Sequence, residues 1–210
     1  MIIKILIASI LGYFIGAFPS AYVLMKKRGV DITQEGTGNV GAMNTFRIGS
    51  KGLGVAVFFL DFIKGFFVVQ LSLILFEQTF LIAGTALFFA VLGHCFSVYI
   101  KFKGGRGLAT ALGGSVLFVP QIPVLWIILW IIAYVYKKNV HFSNASATFL
   151  LILLVLYSGD ILAKYSIVKP NTISEFEITT VAVLLVIFIK HIKPLKEYFN
   201  KQRIIGDRNE

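Results

Sequence analysis

The sequence predicts an all-α polytopic membrane protein with seven transmembrane helices, its N-terminus outside and its C-terminus cytoplasmic. Three observations lead there. Hydrophobic residues make up 57% of the 210 residues, well above the share in a soluble domain. Apolar runs long enough to cross a bilayer recur along the chain, separated by short polar segments. Positive charge is also lopsided. Read as alternating spans, one side receives Lys26, Lys27, Arg28, Arg47, Lys51, Lys101, Lys103, Arg106, Lys137 and Lys138. Lys190, Lys193, Lys196, Lys201, Arg203 and Arg208 join them, leaving Lys4, Lys164 and Lys169 on the other side. Positive charge collects in cytoplasmic loops. The net charge of +10 is therefore accounted for by topology and anionic lipid, and no nucleic-acid partner is expected.

The length accommodates one integral membrane domain, 1–210, with little room for a soluble module. Residues 2–25 form the first span. A signal peptide is the competing reading, but the apolar run continues past Pro19 to Met25. Residues 26–51 read as a polar, glycine-rich loop. Spans over 53–76 and 79–100 follow, joined by Glu77-Gln78-Thr79. The run over 108–136 is interrupted by Pro120 and Pro123, which predicts two short helices meeting at a turn. Each is shorter than the ~20 residues that cross a bilayer upright. Residues 146–168 and 176–192 supply the last two spans, with an outer loop around Pro170-Asn171. No repeat is evident at a 20–50-residue period.

Two glycine runs stand out, and both fall on the predicted cytoplasmic side. The first joins Gly36, Gly38 and Gly41 with Thr37, Asn39, Asn44 and Arg47; the second is Lys103-Gly104-Gly105-Arg106-Gly107, opening into a helix. Glycine lets successive backbone N–H groups converge on an anion, and a helix N-terminus adds partial positive charge. Arg47 offers a planar fork suited to phosphate oxygens, and Thr37 a hydroxyl. Together they predict a site for a phosphorylated ligand at the membrane surface. Asp61 and Lys64 lie about 12–18 Å into the second span at 1.5 Å per residue, on one helical face. A structural ion pair is the favoured reading of the two. His94 reads equally as a packed imidazole or as a group that orients substrate. Cys95 is the only cysteine, and the three histidines are scattered. No disulfide, metal site or cofactor is expected.

A longer set of residues resembles the bacterial acyl-phosphate-dependent glycerol-3-phosphate acyltransferase family, integral membrane enzymes that make lysophosphatidic acid. The set comprises Asp31-Ile32, Gly36 to Asn44 with Arg47, Asp61 to Lys64-Gly65, Gly93-His94 with Phe96, and Lys103 to Gly107. Ala109-Thr110 and Ser143-Asn144-Ala145-Ser146 complete it. The similarity covers nearly the whole chain. It implies seven transmembrane helices in the bacterial inner membrane, with the active site facing the cytoplasm. It also implies a fatty acyl phosphate as donor, glycerol 3-phosphate as acceptor, and no required protein partner. By the same resemblance, Thr37 and Arg47 stand at active-site positions, Lys103 to Gly107 form the glycerol-phosphate loop, and Ser143 and Ser146 match the paired serines. His191 matches the family's third motif. Pro194, however, stands where an asparagine is usual, and Gly206-Asp207-Arg208 echoes the closing run only loosely.

An acyl phosphate has a good leaving group, and no Gly-x-Ser-x-Gly elbow is present. Direct attack by the glycerol hydroxyl, without an acyl-enzyme, is therefore expected. Either a substrate phosphate or His191 takes the proton. Two rival readings remain: a non-catalytic anion-binding or transport protein, and an acyltransferase for another phosphorylated acceptor.

Overall fold

The computed structural model describes residues 1–76 and 79–206, and these are all helical or loop. Nine α-helices follow in order: α1 (Ile2–Ala17), α2 (Ser20–Lys26), α3 (Ala42–Ile48), α4 (Lys51–Leu75), α5 (Phe80–Cys95), α6 (Leu108–Ser115), α7 (Gln121–Lys137), α8 (Val140–Ala163) and α9 (Ile173–Gly206). Five stretches among the described residues are long and apolar enough to cross a membrane: Ile2–Lys26, Lys51–Leu75, Phe80–Ile100, Val140–Ala163 and Ile173–Ile204. α7 has 17 residues and α6 only eight. Glu77 and Gln78, and Asp207 and Arg208 of the closing run, lie outside the described residues.

Several boundaries differ from expectation. The first span is two helices, because the residue before a proline is pushed out of the α region. Phe18 accordingly sits at φ −55°, ψ 117° ahead of Pro19. The segment expected as loop 26–51 contains the seven-residue α3, which carries Asn44 and Arg47. The break before α7 falls at 116–120. Pro120 caps α7, and Pro123 lies in its first turn, where a missing N–H costs nothing. α8 starts six residues before the predicted 146, because the Asn139 side chain accepts from the N–H groups of His141 (2.9 Å) and Phe142 (3.0 Å). α9 runs past the expected end at 192, through Pro194. Phe142 on α8 packs against Tyr198 and Phe199 of that extension.

On α1 and α4 large apolar side chains face outward and small or polar ones inward, the reverse of a soluble bundle. On α1 the large residues Ile2, Leu6, Ile10 and Phe14 are exposed at four-residue spacing, while Ala8, Gly12 and Gly16 are buried. With lipid outside, burying a large apolar side chain gains little, and small residues win the interface because they bring backbones close. A Cβ on Gly12 or Gly16 would strike the Ala86 or Ala90 carbonyl of α5. On α4 the buried face carries Asp61, Lys64 and Ser72, while Phe59, Ile63 and Phe67 point outward.

The broken end of α1 recruits the charged pair. Lys64 Nζ lies 2.8 Å from Asp61 Oδ1 and also donates to the carbonyls of Phe18 (2.8 Å) and Gly16 (3.3 Å). The Ser97 hydroxyl donates to the Ala17 carbonyl between them. Carbonyls freed by Pro19 in an apolar medium need such donors. The expected ion pair is present, and it doubles as a helix cap.

Candidate active site

A cavity of about 470 Å³ runs between these helices. Its polar end gathers Asn39, Gly41, Asp61, His94, Arg106 and His141, with Asn144 and His191 beside them. Its apolar reach is lined by residues such as Leu112, Phe118, Ile122, Trp126 and Ile127. Four segments separated by long stretches of chain converge at the polar end: the two glycine loops, the first turns of α8 and the middle of α9.

The first loop is built around Asn44. This buried amide accepts from the Thr37 N–H (3.0 Å) and donates to the carbonyls of Glu35 (3.0 Å) and Ile32 (3.5 Å). Gly36 and Gly38 take φ values of +61° and +65°, which only glycine adopts freely. Asp31 opens the loop by accepting from both the Thr33 N–H and its hydroxyl, and those bonds hold the carboxyl below its ordinary pKa. Asn39 and Gly41 reach the cavity. Thr37 and Arg47 are exposed outside its wall, and their side chains make no hydrogen bond to a described residue. The positive charge of Arg47 is nevertheless felt at Arg106 and His141.

The second loop is pressed onto the end of α5. The Gly105 N–H donates to the His94 carbonyl (3.0 Å). A Cβ on Gly104 would strike that same carbonyl, and one on Gly105 would strike the His94 ring at Nε2. Gly107, at φ +85°, starts α6 and lines the cavity with Leu108 and Ala109. Arg106 is largely buried, and burial lowers its pKa; the starting value is so high that it stays cationic. Its guanidinium donates to His141 Nδ1 at 3.2 Å. Lys103 remains exposed on the loop's outer side.

His191 is fully buried in a chain whose polarity is set by its ends. Trp130 Nε1–H, which can only donate, gives its proton to Asn144 Oδ1 (2.6 Å). Asn144 Nδ2 therefore faces His191 Nε2 (3.2 Å), which accepts. His191 Nδ1–H then donates to the Ile187 carbonyl (2.8 Å). Both ring nitrogens are engaged.

Of the sequence candidates, Asn39, Gly41, Arg106, Gly107 and His191 line the cavity. Gly36, Gly38, Asn44, Gly104 and Gly105 shape the loops around it. Ser143 and Ser146 do not line it, and the Ser143 hydroxyl donates back to the Asn139 carbonyl (2.7 Å). Sequence reasoning passed over His141, Trp130 and the role of Asn144. Asn139, two residues before His141, is a helix-start signal that places His141 and Asn144 on α8 rather than in a loop, while Trp130 reaches Asn144 from α7.

Comparison with known proteins bears on this geometry. A family model described as glycerol-3-phosphate acyltransferase matches residues 6–201. A glycerol-3-phosphate acyltransferase of Aquifex aeolicus is 36% identical over 157 residues, covering 74% of this chain and 81% of the relative. One from a Wolbachia pipientis strain of Culex pipiens is 30% identical over 184 residues, covering 88% and 89%. The fold is similar to crystal structures of PlsY, an integral membrane glycerol 3-phosphate acyltransferase, in a glycerol 3-phosphate form and a lysophosphatidic acid form. Their TM-scores are 0.78 and 0.76, at 28% identity over 94% of this chain and 92% of theirs. With the match spanning nearly every element that builds the cavity, the chain belongs to the glycerol-3-phosphate acyltransferase family.

Proposed function

We propose that this protein transfers a fatty acyl group from acyl phosphate to the 1-hydroxyl of glycerol 3-phosphate, giving lysophosphatidic acid and inorganic phosphate. The observation that carries this reading is the cavity's division into a cationic, donor-rich end and an apolar reach within one space. A phosphorylated head and an acyl tail need those two environments side by side.

The glycerol hydroxyl oxygen attacks the acyl carbonyl carbon. A new C–O bond forms, the bond from that carbon to the bridging phosphate oxygen breaks, and phosphate leaves with the electron pair. The hydroxyl proton passes to a phosphate oxygen. His191 is the weaker choice of base, because Asn144 already occupies its Nε2 lone pair. Arg106 holds phosphate charge inside the cavity, and Arg47 adds a second cation at its rim. The Thr37 hydroxyl, without a partner among the described residues, orients a substrate oxygen. Fixed donors aimed at developing negative charge, together with positioning, supply the rate enhancement.

The charge distribution supports a site facing the cytoplasm and seven crossings, α6 and α7 each contributing one, and the bacterial relatives support an inner-membrane location. A donor panel in lipid tests the chemistry. Turnover with palmitoyl phosphate and none with palmitoyl coenzyme A is expected; turnover with the thioester alone overturns the reading.

A further inference from the structure

Asp61 and His94 line the polar end of the cavity, with Lys64 behind them, and none of the three has a part in that mechanism. Asp61 and Lys64 form the α1 cap described above. His94 is different. Its side chain is over nine-tenths buried, and it lines the cavity. Nδ1 lies 3.3 Å from Lys64 Nζ. An ammonium only donates, so Nδ1 must present its lone pair and the ring proton sits on Nε2. The Asp61 carboxylate is 3.7 Å from Nδ1, beyond hydrogen-bond distance, and does not compete.

Nε2–H is therefore a donor on the far edge of the ring, against Gly105 of the second glycine loop. No described protein group accepts from it. Nε2 is not among the sealed, unpaired side-chain polar atoms, which are Thr79 Oγ1, Thr110 Oγ1, Gln121 Oε1 and Glu175 Oε1 among the described residues. It is an unpartnered donor that keeps access to open space, on a side chain that lines the same cavity as Arg106 and the start of α6. Gly105 keeps that edge open, since a Cβ there would collide with Nε2.

We propose that His94 is a substrate-binding residue, a neutral donor that gives Nε2–H to a phosphoryl oxygen, with Lys64 holding it in that tautomer. The phosphoryl group belongs either to glycerol 3-phosphate or to the acyl phosphate. A neutral donor suits a place beside the Lys64 ammonium, where a second cation would be repelled.

The inference rests on the acyl-transfer reading, and the experiment separates the two. His94→Ala and His94→Gln are purified in lipid beside wild type. KM for each phosphorylated substrate is measured, together with the rise in Tm produced by inorganic phosphate. His94→Ala is expected to raise KM for one substrate at least tenfold with kcat within threefold, and to lose the phosphate-dependent rise in Tm. The substrate whose KM moves identifies the source of the phosphoryl group. His94→Gln, whose amide can donate from similar reach, is expected to recover most of both. Unchanged KM values with an intact phosphate effect overturn the proposal, as does equal failure of both variants with that effect intact. A wild type that shows the His94-dependent phosphate effect but no turnover overturns the acyl-transfer reading and leaves this site standing.

Discussion

Asn144 donates to His191 across 3.2 Å, joining α8 to α9 at the polar end of the cavity. The amide cannot be turned the other way, because Trp130 offers its oxygen a donor at 2.6 Å. Replacing Asn144 with leucine leaves the Trp130 N–H and the His191 lone pair unpaired. The cost of such unpaired groups is about 1–3 kcal/mol. If that falls on the transition state, kcat/KM drops roughly 5- to 150-fold. Steady-state kinetics on Asn144→Leu checks this; wild-type kcat/KM would mean that the position of His191 does not depend on this bond.

The Asp61–Lys64 pair is buried, and breaking such a pair costs about 3–5 kcal/mol because one charge is left behind. Asp61→Ala should lower Tm in detergent markedly. Asp61→Leu combined with Lys64→Met should lower it less, though not recover it fully, since the carbonyls of Gly16 and Phe18 also lose their donor. An Asp61→Ala variant as stable as wild type would contradict the buried pair's contribution, and a Lys64→Met variant as stable as wild type would contradict the capping role.

Glycine is required at Gly105 and not at Gly52. Alanine at Gly105 places a methyl group against the His94 ring, whereas at Gly52 it meets nothing. Gly105→Ala should lose most activity. Gly52→Ala, in an exposed helical turn, should keep activity and gain up to about 1 kcal/mol of stability. Activity assays and thermal melts on the two side by side decide the point.

Arg106 is the cation inside the cavity. A hydrogen bond to a charged group contributes about 1.5–3 kcal/mol, roughly 10- to 150-fold in affinity. Arg106→Ala should raise KM for a phosphorylated substrate by that order. Arg106→Lys should recover only part, because an ammonium cannot reproduce the planar fork. Competition by inorganic phosphate in each variant provides the check.

Five of the spans and the two glycine loops are legible because apolar period, proline and glycine act locally. Pro19 was visible too, but its effect was underestimated: the apolar run hid a break that needs Lys64 from another helix to repair it. α3 was missed because seven residues are too few for periodicity to speak, and its buried face is Asn44 and Thr45 rather than apolar. The pairings Lys64–His94, Arg106–His141 and Asn144–His191 join residues 30, 35 and 47 positions apart. Composition and spacing carry no record of them, because only the packed helices bring them together.

The most direct test of the central claim is single-turnover acyl transfer by purified protein in lipid vesicles, supplied with palmitoyl phosphate and glycerol 3-phosphate. Lysophosphatidic acid and inorganic phosphate should appear in equal amounts at the same rate, with no acyl-protein trapped by acid quench. Phosphate release ahead of lysophosphatidic acid, with an acylated protein recovered, would contradict direct transfer within one cavity.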